Sequence, residues 1–147
     1  MLIKVKKLRE NAKLPTFGSE MAAGADLCAC TDLPIAITSG TNEKIGTGIA
    51  LEIPEGYFGA IFARSGLATK QHLRPSNCVG IIDSDYRGEV IVALHNDGSN
   101  IADHIIEDGD RIAQLIIMPY PKVAFEWVEE LSGTERGEGG FGSTGTR

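Results

Sequence analysis

Apolar runs in this chain are short, rich in Ile and Val, and nearly every one is bounded by Gly, Pro, Asn, Asp or Ser. Such runs between breakers read as strands. They predict strands over 3–8, 25–29, 45–53, 57–63, 79–82, 89–96, 111–119 and 123–127. The first, within "MLIKVKKLRE", alternates apolar and basic residues, the period-2 pattern of a half-buried strand. One helix of one to two turns is predicted after Arg64, in "SGLATKQ", with Ser65 as its N-cap. Several strands, "RIAQLIIM" foremost, are apolar on both faces. In a small domain this predicts that one face is covered by another subunit. After Trp127 the periodicity stops, and "EELSGTERGEGGFGSTGTR" has the composition of a mobile tail.

Many short strands at this spacing predict an all-β domain, a sandwich or jelly roll. With 147 residues the chain has the length of one domain, expected over 1–131, followed by a C-terminal arm over 132–147. The three cysteines lack metal-ligand spacing and are odd in number, which argues against a disulfide framework and a structural zinc, and for a reducing cytoplasm. Cys28 and Cys30 read as small core or interface fillers. No segment has the h-region of a signal peptide or the ~18 to 20 apolar residues of a membrane span. A formal charge of −6 argues against a nucleic-acid surface. An anionic ligand would then depend on local arginines or a bound cation.

Candidate chemistry lies in five stretches. "ARSGLA" sets Arg64, the Ser65 hydroxyl and the unobstructed backbone of Gly66 at a helix start, a combination suited to phosphate oxygens, or otherwise a capped turn with a surface arginine. "VGIIDSDYRGEV" carries Asp83, Asp85 and Glu89 with Tyr86 and Arg87. A calcium loop fails there, because Leu94 stands where a bidentate Glu is required. The segment reads as a β-hairpin whose acids make turn hydrogen bonds, or as a carboxylate general base beside arginines. "AGADL" holds Asp26 before a strand, and "GDRIAQL" carries Arg111 and Gln114. Gln114 interrupts an apolar run, so its amide meets either a subunit interface or a ligand. Finally "RGEGGFGSTG" matches G-x-G-x-x-G twice, but no helix follows it, so a dinucleotide-binding fingerprint fails on context. His72, His95 and His104 have no partners at ligand spacing and read as structural.

Taken in order, "AGADL", "ARSGLA", "NCVGIIDSDYRGEV", "GDRIAQL" and "RGEGGFGSTG" resemble the five motifs of the trimeric dUTP diphosphatases, or dUTPases, across Gly24 to Gly145. The resemblance implies a jelly-roll homotrimer with three active sites, each built from all three chains. It implies magnesium-assisted hydrolysis of dUTP to dUMP and pyrophosphate, which keeps uracil out of DNA and supplies dUMP for thymidylate synthesis. Asp83 would activate the attacking water; Arg64, Ser65, Gly66 and Gln114 would hold the phosphate chain. Asp26 would orient waters on Mg2+ rather than bind it directly. Asn77, Gly80, Ile81, Ile82 and Ile91 would belong to the hairpin that receives uracil, largely through backbone groups, with Tyr86 beneath the deoxyribose. Arg136 would reach the γ-phosphate, Phe141 would stack on uracil, and Gly142 would let the arm lie close over the nucleotide. The chain departs from the pattern at Ala63, where proline is usual, and at Ala25, where an aromatic residue is frequent; neither removes a functional group.

Two rival readings share these residues. A dCTP deaminase would need an acid/base glutamate, for which Glu89 is the nearest candidate. A nucleotide-sensing interaction protein would not need Asp83, Arg64 and the tail together, and all are present.

Overall fold

The computed structural model describes residues 1–98 and 103–140. Twelve strands and one helix follow in the order Lys4–Lys7 (β1), Thr16–Phe17 (β2), Ala25–Cys28 (β3), Ile35–Ile37 (β4), Asn42–Gly46 (β5), Ile49–Glu52 (β6), Tyr57–Phe62 (β7), Ser65–Lys70 (α1), Leu73–Pro75 (β8), Gly80–Ile82 (β9), Ile91–Asn96 (β10), His104–Ile106 (β11) and Arg111–Pro119 (β12). The largest sheet runs β2-β3-β12-β7-β9, beside smaller sheets β5-β10-β8, β1-β6 and β11-β4. Their inner faces close over one core that includes Leu27, Ile37, Ile45, Ile49, Leu73, Val90, Leu94 and Ile112. The architecture is a jelly-roll-like all-β fold. Among the described residues no helix is long and apolar enough to cross a membrane.

Several expectations need correction. The predicted strand 45–53 is two strands, because Gly48 turns the chain at φ +69° and hands β5 and β6 to different sheets. The expected hairpin between 79–82 and 89–96 is not a paired ladder: β9 pairs with β7, whereas β10 pairs with β5 and β8. Ser65 is the first residue of α1 rather than its cap; Arg64 holds the cap position with no side-chain capping bond. Residues 123–127 form no strand, and Val123, Phe125 and Trp127 are exposed. A strand there would need a ladder that no neighbouring element of this copy supplies. The strands β2, β4, β8 and β11 have only two or three residues each, too few to show a period in the sequence.

Candidate functional site

Asp26 anchors the first group of candidate residues. It lies in β3, opposite Gln114 of β12, and is buried. A buried carboxylate needs partners, and two arginines supply them. Arg64 donates through Nε to Oδ1 at 3.0 Å, and Arg111 donates through Nη1 to Oδ2 at 3.1 Å. Arg64 also donates through Nη1 to the Arg111 carbonyl at 2.8 Å, so its guanidinium plane is fixed from two sides, with Nη2 unpartnered among the described residues. Gln114 faces Phe62 on its other flank, and Gly24 lies against it: a Cβ there would stand 3.3 Å from Gln114 Cβ. Just beyond Arg64, Ser65 and Gly66 are exposed at the first turn of α1. The sequence thus pointed to Asp26, Arg64 and Gln114, and the structure brings them together. The sequence gives Arg111 no role beyond its segment, and its share in Asp26 appears only once β3 and β12 pair.

Asp83 anchors the second group. It follows β9 in a turn closed by the Tyr86 N–H on the Asp83 carbonyl at 3.2 Å. Arg87 ties that turn by donating through Nη1 to the Ser84 carbonyl at 2.6 Å and the Tyr86 carbonyl at 3.0 Å. Asp83 is exposed. It joins Ile81, Ile82, Tyr86, Glu89 and Ile91 around a hollow of about 150 Å³. Because β9 is the last strand of its sheet, one row of its backbone donors and acceptors is left to meet a ligand. Gly80 is buried against Ile61, and the Asn77 amide lies nearby, 3.5 Å from where a Gly80 Cβ would stand. The expected base-receiving segment is therefore a splayed pair of strands with a hollow between them.

The two groups do not meet within one copy. β7 runs from Tyr57, opposite Pro119, to Phe62, opposite Gln114. Ile82 pairs with Gly59 near its start, and Arg64 follows its end. Six residues at about 3.3 Å per residue place Asp83 roughly 20 Å from Arg64. Arg136 reaches neither group: it donates through Nε to the Gly139 carbonyl at 2.7 Å within its own turn. Phe141 and Gly142 lie outside the described residues. His95 is structural, with Nδ1 2.8 Å from Asn42 Oδ1 and Nε2 3.2 Å from Asp97 Oδ1.

A model of the dUTPase family matches residues 10–145. The chain belongs to the dUTPase family. Its relatives include the deoxyuridine 5'-triphosphate nucleotidohydrolase of Syntrophotalea carbinolica, 48% identical over 143 residues that cover 97% of this chain and 96% of the relative. That of Anaplasma marginale is 45% identical over 149 residues, covering 99% and 100%. Among solved structures, the Staphylococcus bacteriophage 80alpha dUTPase with dUPNHPP superposes with a TM-score of 0.89 at 32% identity, covering 99% of both chains. The dUTPase from phage phi11 of S. aureus gives 0.80 at 27% identity, covering 91% of this chain and all of that one. The dUTPase relationship thus spans both groups of candidate residues and the arm.

Proposed function

We propose that this protein hydrolyses dUTP to dUMP and pyrophosphate at sites shared between copies of the chain in a homotrimer. The separation of Asp83 from Arg64 along β7 carries this reading: a base and a phosphate clamp about 20 Å apart cannot act on one phosphorus unless different copies supply them. Two surfaces support assembly. Val123, Phe125 and Trp127 alternate at strand period yet lie exposed. Elsewhere, Ile3, Val5, Leu14, Phe17, Leu51 and Ile117 help line an open apolar groove of about 530 Å³. A monomer would leave both wet, and exposed apolar surface of this kind marks an interface.

In the proposed mechanism Asp83 takes a proton from a water as its oxygen attacks the α-phosphorus, and the bond to the pyrophosphate oxygen breaks in line. Arg64, Ser65, Gly66 and Gln114 hold the phosphate oxygens, so charge that develops there meets donors already in place. Uracil enters the hollow beside β9, whose open backbone edge reads it. A 5-methyl group would clash with a close-fitting wall of the hollow, and cytosine would leave donors and acceptors mismatched, the costlier error. Tyr86 packs beneath the sugar, where a 2'-hydroxyl would collide. From a further copy, Arg136 reaches the γ-phosphate and Phe141 covers the base.

The donor set around Asp26 fits magnesium only through water, because each carboxylate oxygen already accepts from an arginine, and no cluster of three metal-binding side chains occurs among the described residues. Magnesium usually keeps several waters and is held mainly by substrate phosphates; bound so, it offsets the triphosphate charge that an acidic protein repels. The deaminase alternative is disfavoured by Glu89, whose carboxylate already accepts from the Gly48 N–H at 2.8 Å. Pyrophosphate release from dUTP, dCTP, dTTP and UTP, with and without magnesium, tests the reading. Release from dUTP with magnesium is expected; ammonia from dCTP without pyrophosphate from dUTP would overturn it.

A further inference from the structure

The turn that carries Asp83 and Tyr86 ends on Glu89, and Glu89 is held at both its side chain and its backbone. Oε1 accepts from the Gly48 N–H at 2.8 Å, and Oε2 lies 3.8 Å from Arg9 Nη2. Arg9 is itself fixed, donating through Nη1 to the Cys30 carbonyl at 2.8 Å. The Glu89 carbonyl accepts the Tyr86 hydroxyl at 3.0 Å. Two glycines leave room for these contacts. A Cβ at Gly46 would stand 2.5 Å from Glu89 Oε1, and one at Gly88 would stand 2.4 Å from the Tyr86 hydroxyl oxygen. The chain Arg9–Glu89–Tyr86 therefore links the β5–β6 turn to the ring at the mouth of the nucleotide hollow.

We infer that Glu89 is a positioning residue for sugar discrimination: its carboxylate, seated on the Gly48 N–H in the space Gly46 leaves, fixes the backbone that holds the Tyr86 hydroxyl. The inference rests on the dUTPase reading above, in which Tyr86 lies beneath the deoxyribose. A charge-assisted bond to a backbone N–H is short and directional, so it sets the place of the Glu89 carbonyl rather than merely limiting it. When the carboxylate leaves, the carbonyl drifts, the ring loses its anchor, and the clash that rejects a 2'-hydroxyl softens.

The test is the ratio of kcat/KM for dUTP to that for UTP in Glu89→Ala, Glu89→Gln and Gly46→Ala. This ratio does not depend on how much of a preparation is folded, so lost stability alone leaves it unmoved. Glu89→Ala should lower it about tenfold or more, the scale of a displacement near 1 Å. Gly46→Ala should do the same with Glu89 intact, because Gly46 sits in β5 at a φ open to any residue and the three atoms nearest the added methyl all belong to the Glu89 carboxylate, Oε1 at 2.5 Å and Cδ at 3.2 Å first. Glu89→Gln retains an acceptor for the Gly48 N–H and should hold the ratio within about twofold. The double variant Gly46→Ala/Glu89→Ala should lose no more than either single one. If wild-type protein hydrolyses dUTP but both alanine variants keep its ratio, the positioning role is wrong. Wild-type protein inert toward dUTP would instead overturn the reading beneath it.

Discussion

Arg64 donates through Nε to Asp26 at 3.0 Å, so the arginine proposed to meet phosphate is oriented before a nucleotide arrives. Asp26 is buried while Arg111, its second partner, is half exposed. Asp26→Asn keeps the shape but removes the charge that both arginines face. We expect unfolding in urea to shift by about 1 to 3 kcal/mol and turnover to fall with it; an unshifted transition would show that the pairing is not what holds Arg64.

Asp83→Asn should separate binding from chemistry. The exposed side chain of Asp83 has little role in packing, so the variant should fold and bind dUTP as the wild type does. Turnover should fall by about 10²- to 10⁴-fold, the usual contribution of a positioned base. Calorimetric titration with a non-hydrolysable dUTP analogue, set beside pyrophosphate release, checks both halves.

Trp127, the only tryptophan in the chain, is fully exposed in an isolated copy. If copies cover one another's apolar segments, native protein should emit at the short wavelength of a buried indole and shift to the red on dissociation at low concentration. Native emission at the wavelength of a solvated indole would count against this mode of assembly.

The thiols should divide by depth. Burial raises the pKa of both Cys28 and Cys30 above the ordinary thiol value, whereas Cys78 is exposed. Iodoacetamide should modify Cys78 first, with Cys28 and Cys30 slower until the pH is well into the alkaline range. A raised pKa means that the folded state favours the neutral thiol. The stability this contributes is fully present below the ordinary thiol value and is lost as pH rises through the folded one. Mass spectrometry of labelled peptides along a pH series reads the order directly.

Long strands and local chemistry were legible from the sequence, because each rests on residues near one another in the chain. The strands β7, β10 and β12 showed their period, and "ARSGLA" and "AGADL" showed phosphate-type donors and an acid. Pairing was not legible. That Arg111 shares Asp26 follows from the β3–β12 ladder, 85 positions apart. That β9 and β10 separate follows from their partners in other sheets. The segment 123–127 has a strand's pattern without a strand's partner in the same copy, so its alternation describes a contact this copy alone does not make. Glu89 illustrates the same limit: in sequence it is one more acid near a turn, and only folding brings Gly46 and Gly48 against its carboxylate.

Subunit mixing tests the shared site most directly. Arg64→Ala and Asp83→Asn should each be nearly inactive alone. Unfolded together in equal amounts and refolded, they should form mixed trimers in which roughly a quarter of the sites draw an intact Arg64 from one copy and an intact Asp83 from another. The account predicts recovery of activity toward that fraction. A refolded mixture as inactive as its components would place both residues of each site on one chain and contradict it.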